Sequence, residues 1–219
     1  MGFSTTGKST ILRSLEEENI VNVNFIDSDS IISSDYGNRI YNLFLSKHKN
    51  EDPENREEIM SEIDKRENNF LIDLMNKKDF YVAALGPNIH TRKKWKEYYS
   101  KTNPFVIFLK ADVNDVYVGL KRREDELYKE FNTKTAFGNW NHGVIRQYDS
   151  IKGEYTLLPE DQAKKNISEL ITVNENYYST IANEIFEANT LFKWHEKFNS
   201  NKRAEIFEII KTKVIEGAY

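Results

Sequence analysis

The chain has 219 residues, of which 39% are hydrophobic and 30% charged, and this length suits one α/β domain with a sizeable core better than two domains. Its 31 basic and 35 acidic side chains give a net charge of -4, which argues against the broad positive surface that nucleic acid binding requires. The absence of cysteine excludes disulfides, thiolate metal sites and a cysteine nucleophile, and no apolar run approaches the roughly 18 residues that cross a bilayer.

The first predicted element is a helix that begins inside the opening segment MGFSTTGKST, because the apolar residues of the following TILRSL recur at helical spacing. Within it, GFSTTGKS matches the phosphate-binding pattern G-x-x-x-x-G-K-[ST] at its fixed positions, Gly2, Gly7, Lys8 and Ser9. Glycines let backbone amides turn toward phosphate oxygens, while Lys8 places a charge on the β and γ phosphates and Ser9 offers a hydroxyl to Mg²⁺. The alternative is a Gly-Lys-Ser turn that only caps a helix.

A strand is predicted over residues 21–26, where apolar side chains alternate, and the acidic segment FIDSDSI follows. Asp27 and Asp29 are two residues apart, so in an extended segment both carboxylates point to one side. Phosphoryl transfer to a small alcohol needs one carboxylate to hold the metal and one to orient or deprotonate the acceptor hydroxyl. The alternative is a solvated turn in which the aspartates cap a helix.

Two helical stretches follow, over 36–48 and from about Asn55 to Met75, and they predict a helical cap over the site at about 35–76. Short apolar runs at 80–85 and 105–109, with a helix between them, predict buried parallel strands. The alternation of strands and helices predicts an α/β fold, an open parallel sheet flanked by helices.

The carboxyl-terminal half is predicted to contain a helix over 111–131, a mobile flap in the polar and aromatic stretch 132–161, a helix over 167–183, a short strand near 184–188 and a last helix from about Asn201 to Glu216. In the flap, Trp140 and His142 could close over a nucleotide while Arg146 stabilises the transferring phosphoryl group. The alternative is a structured surface loop.

The segment IHTRKKW follows the predicted strand at 80–85, at the edge of the sheet where ligand-binding groups gather. His90 and Arg92 are therefore candidates for contact with an acceptor. A basic first turn on a solvated helix explains the same pattern.

In chain order, GFSTTGKSTI, FIDSDSII, YVAALGPNI, FVIFLKADVNDVYVGLKRR and YYSTIANEIFEAN resemble the shikimate kinase family of P-loop NTPases, which has the nucleoside monophosphate kinase-like fold. The resemblance covers most of the chain except a lid or insertion at about 124–165. It implies ATP and Mg²⁺ as cofactors and a small-molecule alcohol as acceptor. It also implies site residues: Gly2, Thr5, Thr6, Gly7, Lys8, Ser9, Thr10, Arg122 and Arg123 for the nucleotide, Ser9 and Asp27 for the metal, Asp29, Arg66 and Gly86 for the acceptor, with Lys8 and Asp29 catalytic.

The chain departs from the family pattern on the acceptor side. Shikimate kinases usually have three glycines after the third strand, where this chain has Gly86, Pro87 and Asn88, and proline removes an amide donor. The family's two acceptor-binding arginines align near Asp64 and with Asn174, and the lid's Arg-Pro-Leu-Leu is missing. These departures favour a different polyol, sugar or nucleoside-like alcohol as acceptor. The alternatives are shikimate kinase proper with a remodelled site, and a non-catalytic nucleotide-binding or regulatory domain.

Met1 stands where relatives have the last hydrophobic residue of a strand that runs into the loop. We therefore expect that the first strand, which would anchor the loop, is not part of this chain. We further expect one kinase domain over residues 1–219, monomeric and cytoplasmic, with neither nucleic acid nor membrane as partner.

Overall fold

The structure, a computed structural model, describes residues 1–2, 5–17, 23–28, 53–77, 79–131, 144–149, 151, 154–188 and 200–217. In chain order the elements are α1 (Lys8–Glu16), β1 (Val23–Asp27), α2 (Pro53–Asn76), β2 (Phe80–Ala84), a 3₁₀ helix (Ile89–Thr91), α3 (Trp95–Thr102), β3 (Ile107–Lys110), α4 (Val113–Phe131), β4 (Arg146–Asp149), β5 (Glu154–Leu157), α5 (Glu160–Tyr178), β6 (Glu184–Glu187) and α6 (Ser200–Gly217). The helix predicted over 36–48 lies outside the described residues.

The predicted alternation of strands and helices is confirmed, and one helix differs clearly in its bounds. Helix α5 begins at Glu160 and ends at Tyr178, whereas the sequence pattern predicts 167–183. Glu160 and Asp161 lie in its first turn, where carboxylates are stabilised by the positive end of the helix dipole. The polar start of the helix therefore carries a capping signal that apolar periodicity alone does not detect.

The described parallel strands form two pairs. In the first, β1 runs parallel to β2, from Val23 opposite Phe80 to Asp27 opposite Ala84. In the second, β3 runs parallel to β6 over Ile107–Lys110. Because the strands of a pair are parallel, the carboxyl ends of β1 and β2 lie at the same edge.

The first residues of the chain lie alongside β3. The Met1 nitrogen donates to the Ile107 carbonyl oxygen at 2.6 Å, and the Leu109 nitrogen donates to the Met1 carbonyl oxygen at 2.8 Å. Gly2 forms a parallel bridge with Leu109. Backbone hydrogen bonds therefore hold the segment that leads into the loop against this strand.

Apolar clusters on both sides of the strands hold the elements together. One cluster joins α1, β3, β6 and α6, and side chains of β1 and β2 pack against it; its buried members are Leu15, Leu109, Phe186, Ile206, Phe207 and Ile210. A second joins α2 to the segment that follows β2; its buried members are Phe70, Leu71, Leu74, Leu85, Ile89 and Trp95. Both strand pairs thus share a core with α1 and α6.

The region predicted as a flap contains an antiparallel hairpin of β4 and β5. Ile145, which precedes β4, is 1% exposed and belongs to a third cluster made by α4 and α5. The Leu158 nitrogen also donates to the Ile145 carbonyl oxygen at 2.9 Å. The base of the hairpin is therefore fixed to these two helices, while Trp140 and His142 lie outside the described residues.

Candidate nucleotide and acceptor sites

The opening loop turns directly into a helix. Gly7 precedes α1 with φ of 84°, a left-handed conformation that favours glycine, and Lys8 is the first helical residue. Gly7 has no side chain that could cap this end of the helix, and the first backbone amides of an α-helix have no partner within the helix. Lys8 and Ser9 are half-buried and Thr10 is exposed. This is the backbone arrangement that a phosphate group needs.

Gly2 lies in a space that only glycine fits. A Cβ on Gly2 would lie 2.7 Å from Thr6 Oγ1 and 2.9 Å from the Leu109 carbonyl oxygen. Thr6 itself is 3% exposed. The fixed glycine of the motif therefore allows the loop to pack against β3, and the buried Thr6 side chain supports the loop from within.

Thr5 has an unusual backbone conformation, with φ of 69°. Such a value is uncommon for any residue except glycine and more so for a β-branched one. Thr5 occupies a variable position of the phosphate-binding pattern, so the sequence carries no signal for this conformation.

The first predicted carboxylate ends a strand. Asp27 is the last residue of β1, is half-buried and stands opposite Ala84, two residues before Gly86. The structure thus brings Asp27 and Gly86 to the same edge of the β1–β2 pair. Asp29 lies outside the described residues.

The predicted lid residues start on α4. Arg122 is exposed on this helix and Arg123 follows it. Arg146 is the first residue of β4.

On the acceptor side, Arg66 is a buried residue of α2. It is 9% exposed, and its Nε lies 3.5 Å from Glu62 Oε1 one turn earlier. Gly86, by contrast, has no other heavy atom of the described residues within 4 Å of where its Cβ would be.

Arg92 joins the segment after β2 to helix α2. Its guanidinium group binds the carboxylates of Asp64 and Glu67, and the side chains of Arg92 and Glu67 are only 11% and 13% exposed. Asp64 is the residue near which the resemblance places one of the family's arginines. A positive charge therefore does lie at this position, but it comes from another segment and is held by two carboxylates.

Pro87 is held by two side chains that come from different elements. The Tyr178 hydroxyl donates to the Pro87 carbonyl oxygen at 2.9 Å, and His90 Nδ1 lies 3.0 Å from the same oxygen. His90 also stacks on Tyr177, with ring centroids 4.4 Å apart. Tyr178 is 0% exposed, and this burial raises the pKa of its hydroxyl. Burial lowers the pKa of His90, and nearby Arg92 lowers it further.

The segment after β2 therefore turns its carbonyl groups inward, since the Ile89 nitrogen also donates to the Gly86 carbonyl oxygen at 3.4 Å. Sequence reasoning missed the role of Tyr178, although the segment YYSTIAN that contains it belongs to the family resemblance.

Asn174 is the residue with which the resemblance aligns the family's second arginine. It is 3% exposed, and its Nδ2 donates to the Leu170 carbonyl oxygen at 2.8 Å in the same helix. Its Oδ1 is buried and has no hydrogen-bond partner among the described residues. This position thus holds a neutral amide engaged with its own helix.

The helices in the described ranges include none that is both long and apolar enough to cross a bilayer. Among curated proteins, none matches this chain. One similar solved structure is a shikimate kinase from Acinetobacter baumannii in complex with shikimate, with a TM-score of 0.58 and 17% sequence identity over 97% of this chain and 90% of that one. At this identity the likeness shows the fold, that of the P-loop NTPases. The family model for shikimate kinase matches residues 4–193. The chain therefore belongs to the shikimate kinase family and is an ATP-dependent kinase of a small molecule.

Proposed function

We propose that this kinase binds MgATP on its opening loop and transfers the γ-phosphoryl group to a hydroxyl of a small alcohol other than shikimate. The observation that carries the nucleotide assignment is the geometry of the loop. Gly2 is packed where no side chain fits, Gly7 is left-handed, and α1 begins at Lys8. The nucleotide would be held by Gly2, Thr5, Thr6, Gly7, Lys8, Ser9 and Thr10 of the loop and by Arg122 and Arg123 of α4.

The oxygen donors at this edge of the strands suit a magnesium ion. Ser9 supplies a hydroxyl on the first turn of α1, and Asp27 supplies a carboxylate at the end of β1. Hard cations such as Mg²⁺ prefer oxygen ligands and usually retain several waters. When bound, the ion supplies charge neutralisation for the phosphate oxygens, and Lys8 adds a second positive charge.

The step itself requires positioning more than covalent help. The acceptor hydroxyl oxygen forms a bond to the γ-phosphorus, while the bond from that phosphorus to the β–γ bridging oxygen breaks and ADP leaves with the electron pair. The hydroxyl proton passes to the carboxylate of Asp29. Arg66 and Gly86 would border the acceptor beneath the helical cap at about 35–76, and the insertion at about 124–165 would close over it as a lid.

The charges on the acceptor side support a neutral acceptor. Shikimate carries a carboxylate, which a guanidinium group binds best through two parallel hydrogen bonds. Here the guanidinium of Arg92 is bound by Asp64 and Glu67, and that of Arg66 lies near Glu62, so within these described pairs three carboxylates accompany two guanidinium groups. An anionic acceptor, bound beside the already anionic ATP, would meet an excess of negative charge at these pairs. A polyol, sugar or nucleoside-like alcohol avoids this repulsion.

Shikimate itself is the second candidate acceptor. The observation that favours it is the family match, together with the solved relative that contains shikimate. For shikimate to bind, Arg92 would have to exchange one of its carboxylates for that of the ligand.

The test is MgATP consumption by the purified protein against a panel of small alcohols that includes shikimate, sugars, polyols and nucleosides. We expect ADP formation that depends on an uncharged acceptor and is lost in Lys8→Ala. Selective turnover of shikimate would overturn the acceptor assignment and leave the kinase intact. Nucleotide binding without turnover of any acceptor would favour a regulatory or remnant domain.

A second experiment tests Asp29 alone. In Asp29→Asn the amide cannot accept the hydroxyl proton, so we expect kcat to fall about 100-fold with little change in the KM for ATP. Asp35→Asn, a change of the same kind six residues further along, is the control. If Asp29→Asn leaves transfer intact while Lys8→Ala abolishes it, Asp29 is not the residue that contacts the acceptor.

A further inference from the structure

Helix α4 makes a very close approach to the phosphate-binding loop at Gly119, a buried glycine in the middle of the helix. A Cβ on Gly119 would lie 2.8 Å from Thr5 Cβ, 2.9 Å from Thr5 Cγ2 and 2.9 Å from Thr5 Oγ1. Real Cβ atoms essentially never approach other heavy atoms this closely, and the nearest of these is attached directly to the backbone of Thr5. Only glycine at position 119 therefore lets the helix and the loop meet in this way.

Thr5 has two unfavourable features at this contact. Its φ of 69° is left-handed, and its Oγ1 is buried without a hydrogen-bond partner in the described part of the chain. A strained backbone conformation persists only where the surrounding structure holds it in place, and residues with such conformations cluster at functional sites. Helix α4 at Gly119 is such a surrounding, because Cβ, Cγ2 and Oγ1 of Thr5 fill the space that a side chain at position 119 would need.

Helix α4 also connects the loop to the predicted lid. Arg122 lies three residues after Gly119 and thus on nearly the same side of α4. The helix continues to Phe131, and the base of the β4–β5 hairpin packs on its inner residues, Val116 and Leu120. One rigid element therefore contacts the loop, carries the arginine assigned to the nucleotide and supports the base of the lid.

From this geometry we propose that Gly119 is a positioning residue for ATP. It lets α4 pack against Thr5 and so holds the loop from Thr5 to Gly7 in its phosphate-binding conformation. The inference rests on the proposed function, in that the loop must be the site of the nucleotide phosphates.

Gly119→Ala tests this contact, because alanine is the better helix former and would raise the melting temperature if nothing opposed its methyl group. We expect the reverse, a lower melting temperature, and a Kd for MgADP raised about tenfold or more, measured by calorimetric titration. Val118→Ala, at the exposed neighbouring position, is the control and should bind MgADP like the parent protein.

The Thr5→Gly background separates the contact from a general defect. Glycine adopts a left-handed φ without strain and removes the side chain that the new methyl group would meet. In this background we expect Gly119→Ala to raise the melting temperature and to change the Kd for MgADP by less than about twofold. The comparison in the Thr5→Gly background still gives a result even if the single Gly119→Ala variant does not fold.

Three outcomes would overturn the inference, and they are distinguishable. If Gly119→Ala binds MgADP as tightly as the parent protein, Gly119 does not position the loop. If the Thr5→Gly background gives no rescue, the effect does not pass through Thr5. If the parent protein binds no MgADP, the nucleotide assignment itself fails and the inference fails with it.

Discussion

The nucleotide side and the acceptor side of this kinase are built from different chemical groups. On the nucleotide side, the backbone of the loop and the start of α1 would form the proposed site, and Gly2 packs closely against β3. On the acceptor side, side chains hold one another, as Arg92 does with Asp64 and Glu67. A phosphate group is the same in every ATP, so a backbone cradle can serve a whole family. An acceptor differs between relatives, and side chains that recognise it can be exchanged without loss of the fold.

The largest expected effect concerns Lys8, the charged side chain of the phosphate-binding loop. Lys8→Ala should lower kcat on the order of 1,000-fold, because it removes a positive charge from the transferring phosphoryl group. Steady-state assays with MgATP would measure this, with Lys101→Ala, an exposed lysine of α3, as the control. If both variants keep full activity, the chemistry does not take place on the loop and the comparison of the two sides no longer holds.

The next effect concerns the charge pairs of the acceptor side. Arg92→Met should lower the free energy of unfolding by about 3 kcal/mol, because it removes the guanidinium group that binds the mostly buried carboxylate of Glu67. Urea denaturation would measure the loss.

Lys93→Met is the matched control for this change, since Lys93 is the exposed neighbour of Arg92 in sequence. Equal stability of the two variants would mean that the pairs contribute nothing and that the guanidinium of Arg92 is available to a ligand.

A smaller effect is expected at the Pro87 carbonyl. Tyr178→Phe removes one of its two donors, so the free energy of unfolding should fall by about 1 kcal/mol, with His90 still in place. Tyr99→Phe is the matched control, because the Tyr99 hydroxyl makes a longer bond, 3.4 Å, to the Ile181 carbonyl oxygen. If the two variants lose equal stability, the hydroxyl of Tyr178 holds the segment after β2 no more firmly than the longer bond of Tyr99 holds Ile181.

The smallest effect is a pH dependence of stability that arises from His90. Its pKa in the folded protein lies below the ordinary 6.5, chiefly because of burial and further because of Arg92, and the rings of Tyr177 and Tyr178 pack against it. As the pH falls below 6.5, the unfolded chain takes up this proton before the folded protein does, so folding becomes less favourable. The loss ends once the pH passes below the folded pKa.

Urea denaturation at about pH 7.5 and about pH 5.5 would measure this dependence. His90→Gln should show a smaller difference between the two pH values than the parent protein. An unchanged difference would mean that other groups carry the pH dependence.

The sequence by itself determined the elements whose cause is local. The glycine and lysine pattern predicts the loop and the helix that begins at Lys8, alternating and apolar runs predict the strands near their observed positions, and the resemblance predicts the family. In these cases the physical cause lies within a few neighbouring residues. Examples are the spacing of apolar side chains and the need for glycine in a turn. The assignment of individual site residues, Asp29 among them, stays a prediction.

Only the tertiary structure decided which side chains meet across the chain. Tyr178 bonds Pro87 from 91 residues away, and Arg92 bonds Asp64 from 28 residues away. Thr5 meets Gly119 although neither position stands out in its own segment. A hydrogen bond or a contact between distant residues depends on how two elements pack, and neither segment alone contains that information. For this reason the charge pairs of Arg92, the inward-turned carbonyl of Pro87 and the strained backbone of Thr5 become apparent only in the folded protein.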